Sequence, residues 1–282
     1  MIFPENISKR LSIDETALSK GELYTIITNK SAKGRKGAIV AILAGTKVEP
    51  IVEQLLKIPK PLRDKVKEIT LDMANSMKMI AKKCFPKAVQ VTDRFHVQKL
   101  ALEALQDIRI KHRWEAIDQE NELIKQAKLQ QKNYIPEIFD NGDTRKQLLA
   151  RSRYLLYKAP NNWTQNQYIR SKILFERYPN IKKAYNLVQG LRNIFNTAKS
   201  IRTAYTKLAH WYKDVEQTGF KAFNTIANTI TINYRSILNY FINRSTNASA
   251  ESFNAKIKAF RAQFRGVKNI EFFLFRLTRI FA

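Results

Sequence analysis

The sequence contains very few of the residues that build disulfide frameworks and zinc sites. Of its 282 residues, one is cysteine and three are histidine. A single cysteine excludes a disulfide framework, and the two residue types together are too few for a Cys/His metal cluster. The cysteine, Cys84, lies on the apolar stripe of a predicted helix, so we expect it to be buried filler.

Long apolar runs and acidic residues are also scarce. No stretch of about 18 apolar residues and no signal peptide is present, which predicts an intracellular protein. Against 50 Lys and Arg stand 24 Asp and Glu, giving a net charge of +26. This excess predicts a polyanionic partner, most simply nucleic acid, and a cytoplasmic, nucleoid-associated location. The cations are spread along the whole chain, which disfavours an acidic membrane surface as the partner.

The first part of the chain, residues 9–100, carries short strand and helix patterns in alternation. Alternating or continuous apolar residues predict strands at 9–15, 23–28, 38–44, 69–71 and 89–91. Helical spacing predicts helices at 47–57, 62–67 and 73–83. Three strands joined by short turns, followed by two strands between helices, indicate a mixed five-stranded α/β sheet with flanking helices.

The middle of the chain is different, because helical periodicity replaces alternation. Between Val97 and Gly219 the only glycines are Gly142 and Gly190. Helices are predicted at 101–131, 146–157, 164–177, 181–218 and 220–243, and Trp114 and Trp211 within them are expected to be core residues. We therefore predict an all-helical insertion at 101–246, with residues 247–282 returning to the α/β unit.

Aspartates stand where the predicted strands end. Asp14 lies on the first strand, and Asp72 and Asp93 each close a later strand just before a helix. In open α/β sheets, active sites collect at the carboxyl ends of the strands. An aspartate at such a position is also a favoured helix N-cap. A sheet in which the first strand lies beside the Asp72 strand would bring both carboxylates to one edge.

A late helix, predicted at 247–264, could supply a third acid. It has an apolar stripe made of Phe253, Ile257, Phe260 and Phe264. On a different face, Glu251, Asn254 and Lys258 follow one another at helical spacing. A glutamate in the first turn is favoured by the helix dipole alone, so a structural and a functional interpretation of Glu251 both stay open.

Taken in order, these segments resemble the DDE transposases of bacterial insertion sequences, most closely the ISL-three branch. The resemblance rests on SIDE at 12–15, TLDM at 70–73, FPKA at 85–88, DRFHV at 93–97 and ESFNAKIKAFRAQFRG at 251–266. It extends from about Leu11 to Phe281. No single tetrapeptide is specific, but the ordered set is.

The resemblance implies an RNase H-like catalytic domain, interrupted by the helical insertion before the last catalytic helix. It implies that Asp14, Asp72 and Glu251 bind two Mg²⁺ ions, with Mn²⁺ as a substitute. Such cations lie about 3.5–4 Å apart, one activating the attacking oxygen and the other stabilising the leaving oxygen. Hard cations of this kind prefer carboxylate and water oxygens. In the family, water cuts the transposon end and the freed 3′-OH then attacks target DNA.

The same resemblance assigns a supporting role to Asp93 and His96, which form a D-x-x-H after the second aspartate, and to Asn254. His96 could equally be a histidine that caps the start of a helix. Asp93 is the main rival of Asp72 as second ligand. We prefer Asp72 because its strand follows the first helix, as the second catalytic strand of the fold does.

Cations near the third acid are the residues expected closest to DNA: Lys256, Lys258, Arg261 and Arg265. Phosphate neutralisation by such residues gives sequence-independent affinity that falls with salt. Trp163, in an exposed-looking turn, could stack on an unpaired base or could be a core anchor.

The chain departs from fuller members of this branch in one respect. They carry a zinc-binding segment and a helix-turn-helix before the catalytic domain, whereas here Asp14 comes almost at once. We therefore expect either a separate DNA-recognition protein or a fragment or decayed copy of an element. A homodimer is expected from the resemblance, because two ends must be paired. The alternatives are an inactive remnant that only binds DNA, and an RNase H-like nuclease without strand transfer.

Overall fold

The computed structural model describes residues 1–19, 22–264 and 269–282. These residues form two compact units. The sheet unit comprises Met1–His96 and Ile232–Ala282, and the helical unit comprises Val97–Thr231. Residues 232–246, which the helical pattern had grouped with the insertion, thus pack within the sheet unit. None of the described helices is both long and apolar enough to cross a membrane.

The described part of the sheet unit contains one five-stranded sheet, in the order β3-β2-β1-β4-β5. Its strands are β1 (Arg10–Ser19), β2 (Glu22–Asn29), β3 (Ile39–Ala44), β4 (Glu68–Leu71) and β5 (Val89–Thr92). The pairs β1–β2 and β2–β3 are antiparallel, whereas β1–β4 and β4–β5 are parallel. The predicted mixed α/β sheet is confirmed, and β4 lies beside β1 as the argument about the carboxylates required.

One face of the sheet packs against α1 (Val48–Leu56) and α3 (Asn75–Cys84), which the short α2 (Lys60–Arg63) separates in the chain. Alternation along β1 and β4 places Leu11, Ile13, Ile69 and Leu71 in this core. Cys84 is fully buried there, and burial raises the pKa of its thiol to about 11. Its predicted role as buried filler is confirmed.

The opposite face packs against α13 (Ala248–Gln263) and α14 (Ile270–Phe281). The predicted stripe of α13 faces this core, with Phe253 and Ile257 buried and Phe260 and Phe264 partly buried against it. The backbone N–H of Ala38 donates to the carbonyl of Phe281 at 2.8 Å and so ties the end of α14 to the start of β3. The helix that carries Glu251 is therefore held on the sheet by its apolar side.

The helical unit and the junctions around it contain α4 to α12. Their bounds are α4 (Arg94–Leu129), α5 (Arg145–Arg151), α6 (Arg153–Tyr157), α7 (Gln165–Arg177), α8 (Pro179–Thr197), α9 (Ile201–Thr218), α10 (Lys221–Ile232), α11 (Tyr234–Leu238) and α12 (Tyr240–Asn243). The single helix predicted at 181–218 is wrong. It is broken at Ser200, whose side chain accepts a hydrogen bond from the backbone N–H of Thr203 and so begins α9.

Two further details of the helical prediction need correction. The segment 220–243 forms three helices instead of one, with breaks at Asn233 and Asn239. Trp114 is 60% exposed on α4, so its expected place in the core is wrong. Trp211 is 3% exposed and its indole N–H donates to the carbonyl of Leu187, as a core residue should.

Asp143 is a fully buried carboxylate that joins several segments of the helical unit. It accepts hydrogen bonds from Arg151 Nη1 at 2.5 Å, from Arg170 Nε at 2.7 Å and from Asn141 Nδ2 at 2.8 Å. Burial raises the pKa of Asp143, but the hydrogen bonds from Arg170 and Arg151 outweigh it and hold the pKa below its ordinary value. The acid is therefore charged and fully paired at neutral pH.

We expect Asp143→Asn to lower the free energy of unfolding by about 1.5–3 kcal/mol at pH 7, because it removes charge-assisted hydrogen bonds. The folded-state pKa is lowered, so this stabilisation is complete above the unfolded pKa of about 3.9 and is lost as the pH falls through the folded-state value. Urea denaturation at pH 7 and pH 3 measures the effect. Lys99→Ala, in an exposed ion pair with Glu103, is the control. An equal loss at both pH values would contradict the assignment.

Candidate metal centre

Three aspartates stand in register on three adjacent parallel strands, Asp14 within β1 and Asp72 and Asp93 directly after β4 and β5. Ser12 of β1 pairs with Thr70 of β4, and Leu71 of β4 pairs with Thr92 of β5. Continuing this register sets Asp14 beside Asp72 and Asp72 beside Asp93. We call these three residues the acid row. The parallel pairing thus supplies the convergence that the sequence could only anticipate.

Helix α13 brings two more predicted residues to the acid row. Asn254 donates from Nδ2 to Oδ2 of Asp14 at 2.7 Å. One turn earlier, Glu251 lies near the other end of the row. A carboxylate oxygen of Asp93, a ring nitrogen of His96 and a carboxylate oxygen of Glu251 all lie within 4.8 Å of one another.

The carboxylates influence one another electrostatically. Burial raises the pKa of Asp14, and the charge of Asp72 raises it further, against lowering contributions from the Glu15 N–H, His96 and Asn254. Burial also raises the pKa of Glu251, as do the charges of Asp93 and Asp14, while His96 lowers it. Crowded like charges of this kind favour a bound cation or a shared proton. Asp14 therefore interacts with both Asp72 and Glu251, whereas the ligand atoms that lie within 4.8 Å of one another belong to Asp93, His96 and Glu251.

One carboxylate near the row was missed by the sequence reasoning. The pKa of Glu15 is raised by burial and by the charges of Asp72 and Asp14. Alternation along β1 assigns Glu15 to the face opposite Asp14, so the pattern gave no reason to include it. Its proximity adds to the negative potential of this edge.

Asp93 and Asp72 differ in how their oxygens are used. Asp93 is 1% exposed, and its two oxygens accept backbone N–H bonds from Phe95 at 3.1 Å and from Asn247 at 2.9 Å. It therefore caps the start of α4 and ties down the residue that precedes α13. Asp72 accepts one such bond, from Ala74 at 2.8 Å to Oδ1. Asp93 thus has a structural task at both oxygens, whereas Asp72 is half-exposed and has one oxygen so engaged.

The four cations predicted to lie closest to DNA have different environments. Lys258 is exposed, on the same helix face as Glu251 and Asn254. Lys256 donates from Nζ to the carbonyl of Gly34 at 3.1 Å. The guanidinium of Arg261 lies over the ring of Phe273, 5.1 Å from its centroid. Arg265 lies outside the described residues.

The loop between β2 and β3 is a cationic feature to which the sequence reasoning gave no role. Its exposed side chains include Lys33, Arg35 and Lys36. The loop is ordered by hydrogen bonds from Asn29 Nδ2 to the Gly37 carbonyl and from Lys256 to the Gly34 carbonyl. Gly34 adopts φ +71°, a left-handed conformation that favours glycine. The density of Lys and Arg in NKSAKGRKG was the available signal.

Trp163 belongs to the helical unit, where it has the contacts of an anchor. Its indole N–H donates to the carbonyl of Leu155 at 2.8 Å. Its ring centroid lies 5.6 Å from that of Tyr185 and 6.3 Å from that of Phe175. These contacts agree with the structural interpretation of Trp163, and stacking on a base stays a prediction.

Comparison with known proteins identifies the family of the chain. The transposase family designated ISL3, of the DDE type, matches residues 11–277. The chain is also similar to the transposase for insertion sequence element IS1001 of Bordetella parapertussis, at 24% identity over 274 residues. That alignment covers 96% of this chain and 60% of the length of the relative. No solved structure shows a significant match. Because the family match spans nearly the whole chain and includes every member of the acid row and Glu251, the chain belongs to the ISL3 family of DDE transposases.

Proposed function

We propose that this chain is the catalytic part of a DNA transposase, performing Mg²⁺-dependent phosphodiester hydrolysis and strand transfer at transposon ends. One observation supports the proposal above all others. Asp14 and Asp72 lie side by side on parallel neighbouring strands, and Asp14 is close enough to Glu251, on a helix far along the chain, for its charge to raise the pKa of Glu251. A purely structural site would have little reason to place Asp14 and Glu251 where burial and neighbouring acids raise their pKa values.

The donor set suits a hard divalent cation. Asp14, Asp72 and Glu251 offer carboxylate oxygens, which Mg²⁺ prefers, and Mn²⁺ accepts them too. When bound, such cations would activate the attacking oxygen and stabilise the leaving oxygen. Asn254 donates to Oδ2 of Asp14 and the Glu15 N–H donates to Oδ1, so this carboxylate has a fixed orientation in which its remaining lone pairs can accept a cation. In this proposal Asp14, Asp72 and Glu251 hold the cations, and Asn254 orients the carboxylate of Asp14.

Asp93 and His96 are assigned supporting roles. The Asp93–His96–Glu251 group could hold an ion by its spacing. However, Asp93 is 1% exposed and its two bonds fix the starts of two helices, whereas Asp14 and Asp72 are partly exposed, and an imidazole ligand suits Zn²⁺ better than Mg²⁺. We therefore assign Asp93 to positioning α4 and Asn247. His96, beside Glu251 and Asp14, can hold a proton near the reacting phosphate or contact DNA.

DNA is the proposed substrate, both as transposon end and as target. Lys258 is the best placed of the predicted contacts, because it is exposed on the face of α13 that carries Glu251 and Asn254. Lys256, Arg261, Arg265 and Trp163 remain proposed contacts of lower rank. A homodimer that pairs two ends, and a separate protein that recognises the end sequence, are further parts of the proposal.

Removal of any one of the three acids is expected to abolish catalysis. Asp14→Asn, Asp72→Asn and Glu251→Gln should each lower Mg²⁺-dependent cleavage of a transposon-end duplex at least about 1,000-fold, a loss of about 4 kcal/mol in barrier stabilisation. Asp118→Asn, an exposed acid on α4, should cut like the parent chain. Joining of a labelled 3′-OH end to plasmid DNA measures strand transfer. Cutting without joining would indicate a nuclease, and parent-level cutting by Asp72→Asn would refute the triad.

The metal-free protein should be destabilised by its own acids. The folded-state pKa values of Asp14 and Glu251 are raised, so their contribution to stability is greatest at low pH and is lost as the pH rises through those values. Mn²⁺ at 100 times its Kd should then add about 2.7 kcal/mol at pH 7.5, and much less at pH 4.5. Thermal unfolding with and without Mn²⁺ measures this increment. Asp14→Asn should lose the increment without losing metal-free stability, and an unchanged increment would contradict the site.

A phosphate contact by Lys258 should be visible in the salt dependence of binding. Lys258→Gln is expected to reduce the slope of log K against log salt by about 0.9, the value for one phosphate contact on a duplex. Lys125→Gln, an exposed lysine on α4, changes the net charge equally and should leave the slope unchanged. Fluorescence anisotropy with a labelled duplex between 50 and 200 mM salt provides the measurement. Equal slopes for both variants would assign the effect to net charge alone.

A further inference from the structure

The segment that leads from the helical unit back to α13 is fastened to the sheet unit by polar side chains. We call residues Ile232–Asn247 the return segment. Along its length it makes a series of hydrogen bonds to the sheet and its helices: Asn233 with Lys78, Ser236 with Thr92, Asn239 with the Gln90 carbonyl, Asn243 and Ser245 with Glu68, and the Asn247 N–H with Asp93. The segment thus has a defined register against β4 and β5 before α13 begins.

Glu68 is the buried centre of these contacts. It is 5% exposed at the start of β4. Its Oε1 accepts from the Ser245 hydroxyl at 2.5 Å, and its Oε2 accepts from Asn243 Nδ2 at 3.0 Å. One carboxylate therefore accepts hydrogen bonds from the two residues that flank Arg244. Arg244 itself has a left-handed conformation with φ +51°. These bonds fix the sharp bend between α12 and α13.

Lys30 completes the group from the other side. Its Nζ donates to Oγ1 of the fully buried Thr70 at 2.6 Å and lies 3.8 Å from Oε1 of Glu68. Its side chain is only 13% exposed. Lys30, Thr70, Glu68, Asn243 and Ser245 form the Glu68 network, which links the turn after β2, the strand β4 and the return segment.

The network lies in the layer directly below the acid row. Glu68, Thr70 and Asp72 follow at alternate positions, so they share a face of the sheet, and each step along it is about 6.6 Å. From Ser245, two residues lead to Asn247, whose carbonyl accepts the N–H of Glu251 at 2.9 Å. Glu68 and Glu251 are therefore connected through a short stretch of chain that is hydrogen-bonded at both ends.

We propose that Glu68 and Lys30 are positioning residues that set the start of α13 and thereby the place of Glu251 beside Asp14 and Asp72. The inference rests on the proposed function of that site. A buried ion pair is a poor source of stability, because apolar residues of similar size often serve as well or better. Its directional bonds do fix a register, which an apolar cluster would leave free to slide. Supporting partners of metal ligands act in this way.

Metal affinity, measured on the full-length chain, tests the proposal without relying on catalysis. Glu68→Gln and Ser245→Ala should each weaken Mn²⁺ binding about tenfold by titration calorimetry, the lower end of the effect for supporting partners. Because both variants break the same bond, the double variant should lose little more than either single one. Asp143→Asn is the matched control, a buried and paired acid in the helical unit that should lose stability while keeping Mn²⁺ affinity.

A second comparison separates positioning from stability. Lys30→Met with Glu68→Leu replaces the pair by apolar side chains, so its melting temperature should stay near that of the parent while Mn²⁺ affinity falls about tenfold. Parent-like Mn²⁺ affinity in folded Glu68→Gln and Ser245→Ala would overturn the inference. If Glu251→Gln itself binds Mn²⁺ as the parent does, the proposed metal centre fails, and the inference with it. Because this outcome is measured on Glu251→Gln alone, failure of the metal centre is distinguished from failure of the inference about Glu68 and Lys30.

Discussion

The parallel pairing of β4 with both β1 and β5 is the constraint on which the acid row depends. Because these strands run in the same direction, their register sets Asp14, within β1, beside Asp72 after β4, and Asp72 beside Asp93 after β5. The cost is electrostatic, because burial and mutual repulsion raise the pKa of Asp14 and of Glu251. The apolar packing of α13 against the opposite core keeps Glu251 close to the like charges of Asp93 and Asp14. The repulsion between these acids lowers the stability of the fold at this edge, as is typical of functional sites.

Much of the sheet unit follows from local patterns. Strand alternation, the positions of Asp14 and Asp72, and the apolar stripe of α13 are all visible in the sequence, because each depends on residues a few positions apart. The order of strands follows once β4 is placed beside β1. Helix breaks were harder to predict. A single N-cap such as Ser200 separates two helices although the apolar residues keep their helical spacing across it. Trp114 shows the same limit, because periodicity does not reveal which side of a long helix remains exposed.

The contacts of the side chains that matter for function could not be predicted from the spacing of residues in the sequence. Glu68 looks like one acid among many cations, and its partners Asn243 and Ser245 are 175 and 177 positions away. Lys256 and Arg261 have the same charge and lie on the same helix as Lys258, yet one contacts the Gly34 carbonyl and the other lies over Phe273. Asp93 and Asp72 occupy equivalent strand ends and each accepts the backbone N–H two residues on, so the sequence does not reveal that Asp93 is buried and also accepts the Asn247 N–H.

The sheet unit is built from two stretches of chain separated by the whole helical unit, Val97–Thr231. Glu251 therefore leaves the ribosome long after Asp14 and Asp72, once the whole helical unit has been made. A chain whose synthesis stops anywhere in the intervening helices carries both aspartates but lacks the third acid of the proposed centre. The order of synthesis would then delay assembly of the proposed centre until after the helical unit has been made.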